Sequence, residues 1–220
     1  QVDTLMAMRA MESTRALGEN HESRFLTVAN AGQTAANLNL VNGRPHRFVG
    51  SAAANARTIT LADFVAMKLS FDKANAPAGG RIAIVDPIVE ATLNTLISAT
   101  TVVNNTPQFQ GVLNEGFARD HRFVRNIMGW DIYTSNFLPS LTAAEAINAT
   151  TVGLTNETAA IGDKANVFMC VADDSCKPVM HAWRRAPQTE GWRAEEERGD
   201  KYQVTSRFGF GVQRLDTLGV

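Results

Sequence analysis

Few side chains in this sequence have the type and spacing needed for catalysis or metal binding. The two cysteines, Cys170 and Cys176, are separated by five residues and so do not form a CxxC redox pair. Asp173 and Asp174 lie between them, but the nearest histidine, His181, has no partner at the spacing that a zinc site requires. We therefore expect two reduced thiols at the ends of a strand and turn, with no metal and no cofactor.

The four histidines lie in no known catalytic motif. The sequence contains no HExxH, no GxSxG serine beside a histidine, and no GK[ST] after its glycine-containing segments. One alternative stays open, an α/β enzyme with a degenerate site that uses Asp86, or Asp120 with His121, as a base. No motif gives a positive reason to propose catalysis, so we expect a protein that is not an enzyme and has no catalytic residue.

The densest group of charged and aromatic side chains lies in residues 180–200, which contain two Trp, four Arg and four Glu. Trp and Arg are enriched at the centres of protein interfaces, and arginine pairs bidentately with carboxylates. An exposed hairpin with ion pairs of its own would explain the same residues. We expect contacts between subunits, and the residues predicted to make them are Trp183, Arg184, Arg185, Trp192, Glu195, Glu196 and Glu197.

Composition narrows the class of protein. The chain has 220 residues, enough for one large domain or two small ones, and its 45% hydrophobic content is that of a globular protein. Its net charge of −1 argues against extensive nucleic-acid binding, which usually requires a large positive balance. No apolar run is long enough to span a membrane, and residues 1–12 do not predict a secretory signal.

The N-terminal quarter predicts little core of its own. Apolar residues between Leu5 and Leu17 indicate a short amphipathic helix. Residues 18–57 show almost no periodic apolar pattern, so we expect an arm and an extended loop that lie on neighbouring subunits. The arginines expected to meet carboxylates across that interface are Arg24, Arg44 and Arg47.

The remaining segments predict alternating helices and strands. A helix is expected over 58–75 with Phe64 and Leu69 buried, then a strand over 82–85 and a helix that Asp86 caps. Two strands that bend at Gly129, a strand at 167–172 and one or two closing strands follow, while 139–166 is expected to form a loop or small excursion. Gly209 and Gly211 are expected to mark bends or a close backbone approach.

Four of these segments, in this order and spacing, resemble the major capsid proteins of tailed bacteriophages with the Hong Kong 97-type fold. The resemblance spans nearly half of the chain and is carried by "TITLADFVAMKLSFDKANAPAGGRIAIVDP", "IVEATLNTLI", "IMGWDIYTSNFLP" and "DKYQVTSRFGFGVQRLDTLGV". The resemblance implies an α+β fold. Its peripheral domain, a long spine helix plus β-strands, would comprise 58–84 and 196–220, its axial domain, a sheet with flanking helices, would comprise 85–195, and an N-terminal arm and extended loop would comprise 1–57.

The same resemblance implies a structural role in a virion. The subunit would self-assemble in the cytoplasm of a host bacterium into hexamers and pentamers of an icosahedral head. Its partners would be further copies of itself, with portal, scaffolding and possibly cement proteins. The head would enclose double-stranded DNA without sequence-specific contacts, and no membrane would be involved. The alternative with the same fold is an encapsulin, a nanocompartment shell that holds cargo enzymes.

Overall fold

The computed structural model describes residues 2–33, 39–47, 49–50, 59–98, 126–147 and 157–220. Within these residues it contains helices and strands in a mixed order. The helices are α1 (Val2–Ala31), α2 (Leu61–Lys73) and α3 (Pro87–Ser98). The strands are β1 (Arg81–Val85), β2 (Asn126–Ile127), β3 (Trp130–Thr134), β4 (Glu145–Ile147), β5 (Glu157–Ala159), β6 (Val167–Cys170), β7 (Val179–Ala194), β8 (Gly199–Val212) and β9 (Leu218–Gly219).

The core is built on a sheet with strand order β2-β3-β1-β6-β9. Strand β1 lies at its centre, pairs in parallel with β3 and pairs antiparallel with β6. A parallel pair needs a crossover connection, and α3 follows β1 on the path to β3. Two further pairs, β4 with β5 and β7 with β8, form separate two-stranded sheets.

Both faces of the central sheet are covered. In β1, Ala83 and Val85 point into one apolar cluster, whereas Ile82 and Ile84 pack against the other. All four residues of β6 are buried, and their side chains alternate between the same two clusters. Successive side chains of a strand point to opposite faces, so a strand made entirely of apolar residues requires a packed layer on each side.

Helix α2 covers the first face. Phe64 and Phe71 of this helix pack in an aromatic cluster with Trp130 and Phe168 of the sheet. The Phe71–Trp130 and Trp130–Phe168 centroid separations are 4.9 and 5.1 Å, both edge to face, which is a favourable arrangement for aromatic pairs. Leu93 of α3 packs in the same cluster.

Helix α1 covers the second face, which contradicts the prediction for the N-terminal segment. Leu26 and Ala29 are fully buried in a cluster with Val167 and Leu218. Ser135 Oγ also donates a hydrogen bond to Glu22 Oε1 at 2.6 Å. The predicted short helix therefore continues to Ala31, and the described part of 18–57 folds into the core of its own subunit instead of forming an arm.

A buried arginine ties α2 to the sheet. Arg81 is 3% exposed, and its Nε and Nη2 atoms donate to the carbonyl oxygens of Pro77 and Ala76, each at 2.8 Å. Nη2 also lies 2.7 Å from Asp72 Oδ1. The guanidinium stands 5.8 Å from the centroid of the Phe71 ring, within cation–π range. One side chain therefore links the last turn of α2 and the loop that follows it to the first residue of β1.

Local signals for several elements are confirmed. The Asp86 carboxylate accepts a hydrogen bond from the Ile88 amide at 3.1 Å and caps α3 as predicted. The segment around Gly129 forms two strands, and Met128 and Gly129 both have positive φ in the turn between them. The closing segment contains β8 and β9, and the strand predicted at 167–172 is β6. The excursion predicted at 139–166 holds β4 and β5.

Three predictions are wrong. Leu69 is 36% exposed because it lies on the side of α2 that faces away from the sheet. Gly209 and Gly211 lie in the regular stretch of the β7–β8 ladder between the Val179–Val212 and Trp183–Phe208 pairs, and a Cβ at either would meet no described atom within 4 Å. The predicted domain boundaries at 84/85 and 195/196 also fail as divisions of the described core. Strand β1 pairs with strands from the other predicted domain, and β7 pairs with β8.

We expect Phe64→Ala and Leu69→Ala to differ sharply in stability. Removing the Phe64 ring leaves a cavity in the aromatic cluster and should lower the free energy of unfolding by about 3–5 kcal/mol. Leu69→Ala, at a partly exposed site of the same helix, should cost about 1 kcal/mol or less. Chemical denaturation followed by circular dichroism measures both. Equal losses in the two variants would contradict the packing described for α2.

Candidate assembly surface

A long, exposed feature of the described structure is the hairpin formed by β7 and β8, which have 16 and 14 residues. Their ladder runs from the Val179–Val212 pair to the Ala194–Gly199 pair, and residues 195–198 form the turn. At roughly 3.3 Å per residue the longer strand extends about 50 Å. Most of its side chains are exposed on both faces of the ribbon.

This exposure has a physical consequence. A two-stranded hairpin without a packed face is marginally stable in water, and its open edges attract further pairing. The root of the hairpin is anchored, because Val179 and Val212 pack in the apolar cluster beneath α1. Trp183 and Trp192 are each 47% exposed along the ribbon. Such a ribbon is suited to burial against another molecule.

Helix α1 braces the root through an aromatic cluster. The His21 ring stacks on Trp183 with centroids 5.3 Å apart and planes 14° from parallel. Phe208 and Phe210 lie 4.7 and 4.8 Å from the same imidazole. His21 Nε2 and His181 Nε2 are 3.1 Å apart, a hydrogen-bond distance that requires one nitrogen to donate and the other to accept.

The histidine pair is sensitive to protonation. Burial lowers the pKa of His21 below its ordinary value of 6.5, and the charge of His181 lowers it further. Two imidazolium rings at this distance would repel each other and could not form the hydrogen bond. Burial likewise lowers the pKa of His46, which is fully buried and whose Nδ1 lies 3.1 Å from the Asn39 carbonyl oxygen.

The charged residues predicted on the hairpin fall into two groups. Some pair within the ribbon: Arg185 with Glu190, Arg193 Nε with Glu195 Oε1 at 3.6 Å, and Lys201 Nζ with Glu197 Oε1 at 2.9 Å. These pairs are solvent-exposed and each contributes little to stability. Arg184 and Glu196 form the second group, because neither has an ion-pair partner among the described residues.

The N-terminal arginines are not equivalent. Arg24 is exposed on α1, and its Nε donates to Asn20 Oδ1 at 3.0 Å. Arg44 is half-buried, and its amide bonds to the Val41 carbonyl at 3.0 Å.

Arg47 is buried and its guanidinium reaches Glu145 Oε2 at 2.6 Å and Asn30 Oδ1 at 3.0 Å. The charge of Arg47 is therefore paired within its own chain, and the side chain is not available for a contact between subunits.

The described residues offer little for catalysis. No three His, Cys, Asp or Glu side chains among them converge as a metal site would require. Cys170 and Cys176 are both buried free thiols, as predicted. Asp86 is used as a helix cap, and Asp120 and His121 lie outside the described residues. Of the helices in the described ranges, none has the length and apolarity of a membrane span.

Sequence reasoning missed the cluster at the root. His21, His181, Phe208 and Phe210 were not predicted to meet, although a signal was present. His181 alternates with Trp183, and Phe208 alternates with Phe210, which places each pair on one face of its strand. The long-range pairing of β7 with β8 and the position of α1 were needed to bring them together.

Comparison with known proteins identifies the architecture. A family model described as phage capsid protein matches residues 1–220. A chain from Mycobacterium phage Che8 has a TM-score of 0.60 at 16% identity, with 96% of this chain and 61% of that chain covered. A chain from the capsid structure of the cyanophage P-SCSP1u has a TM-score of 0.61 at 19% identity, with 99% and 67% covered.

A third solved structure, the asymmetric unit of the bacteriophage PhiM1 mature capsid, matches with a TM-score of 0.51 at 13% identity, covering 100% of this chain and 64% of that one. The chain thus spans 61% to 67% of the length of these solved chains. No curated protein matches the sequence. At these identities the structural likeness shows the fold, and this confirms the predicted α+β capsid fold.

We expect the subunit to lose stability as the pH falls from about 7.5 to about 5.5, because the unfolded chain binds more protons wherever a folded-state pKa is lowered. The His21 part of that loss begins near its ordinary pKa of 6.5 and continues down to the lowered value. His21→Phe keeps an aromatic ring but removes the titrating group, so the variant should show a smaller fall in melting temperature. His46, whose pKa is also lowered by burial, contributes to the fall that remains. An unchanged fall in His21→Phe would contradict this account.

Proposed function

The chain belongs to the phage capsid protein family, and we propose that it is the major capsid subunit of a tailed phage, which self-assembles into hexamers and pentamers of an icosahedral head around double-stranded DNA. The family and the fold indicate a structural protein rather than an enzyme. A virion capsid is the location that the family supports. We propose that assembly takes place in the cytoplasm of the bacterial host.

The observation that carries the proposal is the β7–β8 hairpin, which is exposed on both faces while its root is packed in the core. A ribbon of this length gains stability when neighbouring subunits cover it. Repeated contacts of this kind, each weak, add up to a stable shell because every subunit makes several at once. We propose that Trp183, Trp192, Arg184, Arg185 and the carboxylates of 195–197 lie in these contacts.

The proposal also includes the other predicted contacts and partners. Arg24 remains a candidate because it is exposed beside the hairpin root, and Arg44 remains one on the sequence argument alone. Portal, scaffolding and possibly cement proteins are the proposed partners. Packaged DNA would lie inside the shell without sequence-specific contacts, in keeping with the net charge of −1. Within a shell, we propose that the part of the predicted axial domain before the hairpin, 85–178, lies toward the capsomer axis and that the β7–β8 hairpin lies toward the periphery.

The proposal is tested by the size and content of the purified protein. Light scattering after size-exclusion chromatography and negative-stain microscopy should show closed particles. Particles formed during phage growth should contain DNA, whereas an encapsulin would contain a cargo enzyme. A small oligomer under all conditions, with no particles, would refute the proposed function.

The arginines of the hairpin provide a sharper test. The double variant Arg184→Ala with Arg185→Ala should remain folded by circular dichroism but yield fewer or misshapen particles. The loss should grow at high salt, since screening weakens the charge pairs that remain.

A matched control removes the same amount of charge elsewhere. Arg9 and Arg15 pair only with Glu12 and Glu19 of their own helix in the described structure, and both are highly exposed. Arg9→Ala with Arg15→Ala should assemble like the unmodified protein. If the hairpin variant also assembles at normal yield across salt concentrations, Arg184 and Arg185 lie outside the subunit contacts.

A further inference from the structure

A basic cleft opens between α1 and the root of the hairpin. It has a volume of about 870 Å³, and three arginines line it, Arg24 from the helix and Arg184 and Arg207 from the two strands. Trp183 and Phe208 supply its aromatic wall. No carboxylate is among its described lining residues. Three arginines lining one cleft favour an anionic occupant.

The arginines of the cleft are available for such an occupant. Arg24 uses Nε on the neutral Asn20 side chain, which leaves its charge uncompensated. Neither Arg184 nor Arg207 has an ion-pair partner in the ranges that the structure describes. Their guanidinium groups can therefore take carboxylates bidentately without breaking an existing pair.

The opposite end of the same hairpin carries the complementary charge. Its turn, residues 195–198, contains three consecutive glutamates and one arginine. Glu195 and Glu197 make only exposed pairs, with Arg193 at 3.6 Å and Lys201 at 2.9 Å. Glu196 has no partner within the described part of the chain. Trp192, 47% exposed, stands just before the turn and adds apolar surface.

The turn cannot reach the cleft of its own subunit. The β7–β8 ladder is continuous from the Gln188–Thr205 pair to the Ala194–Gly199 pair, which holds the ribbon extended. Glu195 lies eleven residues after Arg184, and from Gln188, beyond two register shifts in the ladder, to Glu195 the ribbon extends about 23 Å at 3.3 Å per residue. The cleft can therefore receive this turn only from another copy of the chain.

We propose that the acidic turn at 195–198 of one copy docks in the basic cleft of the next copy, with Glu195 and Glu196 on Arg184 and Arg207. Trp192 then packs against the aromatic wall formed by Trp183 and Phe208. The contact joins two different surfaces, so it repeats head to tail and closes into a ring when the rotation between copies allows it. This inference rests on the proposed function, because it specifies how one shell subunit recognises its neighbour.

Nucleic-acid phosphate is the other anion that arginine and tryptophan could bind. The observations favour the protein turn, because the hairpin itself requires cover and the chain has no excess of positive charge. The two occupants differ in what a charge reversal does. Reversing the cleft charge abolishes both, whereas reversing the turn charge in the same molecule can restore only the contact between copies.

The experiment is therefore a charge swap in the full chain. Arg184→Glu with Arg207→Glu reverses the cleft, and Glu195→Arg with Glu196→Arg reverses the turn. Each pair alone places like charges opposite each other and should lower the particle yield about tenfold or more. All four substitutions together should restore most of the yield. Arg9→Glu with Arg15→Glu is the control for charge reversal outside the cleft, and it should assemble normally.

A second measurement, disulfide cross-linking between copies, avoids charge reversal, which could impair folding. It detects the docking contact whether or not closed particles form. Arg184→Cys combined with Glu196→Cys should form disulfides between copies under mild oxidation, whereas either cysteine alone should give no ladder of linked chains. The native thiols are both buried and should not contribute. The docking is overturned if the wild-type chain assembles while the fourfold variant stays as defective as its parents, or if the paired cysteines do not link. If the wild-type chain forms no particles but the paired-cysteine variant does link, the shell function is overturned and the docking stands.

Discussion

The structure depends on a sheet that must be buried on both faces. Strand β6 and residues 82–85 of β1 are apolar at every position, so their alternate side chains enter two separate clusters. Helices α2 and α3 cover one cluster and α1 covers the other. Because α1 is required for the core, its exposed side stands in a defined place beside the hairpin, where it presents His21 and Arg24. The packing of the core thus determines the geometry of the surface that we propose for assembly.

The buried polar residues serve this architecture and not a reaction. Arg81 bonds to two backbone carbonyls and a carboxylate, and Arg47 joins Asn30 to Glu145. His46 is held neutral by burial, which lowers its pKa. A buried charge or imidazole is tolerated only where hydrogen bonds or partners compensate its lost hydration. These groups connect loops and helix ends to the sheet, which is consistent with a subunit that must keep one shape while its surface makes contacts.

The hairpin is anchored in the core at its root and exposed along most of its first strand. Its root shares the core through Val179 and Val212, so the ribbon leaves the body in a defined direction. Beyond the root, ion pairs within the ribbon are exposed and weak. Its cleft and its turn carry opposite charges at opposite ends. Charge complementarity of this kind selects a partner and its orientation more than it adds affinity, which suits contacts that must form correctly many times.

The sequence by itself determined the features that depend on neighbouring residues. The strand at 82–85, the cap at Asp86, the turn at Gly129 and the lack of a catalytic motif all follow from residue types at short spacing. The α+β class was implied by the resemblance to capsid proteins that these segments carry. Only the tertiary structure decided that α1 continues to Ala31 and covers the sheet, that Leu69 faces outward, and that Arg47 is buried. Those outcomes depend on which surfaces meet across more than a hundred residues, as in the contact of Glu22 with Ser135. The cleft was hidden for the same reason. An exposed hairpin at 180–200 was one of two interpretations of the sequence, but its length and register depend on the pairing of β7 with β8.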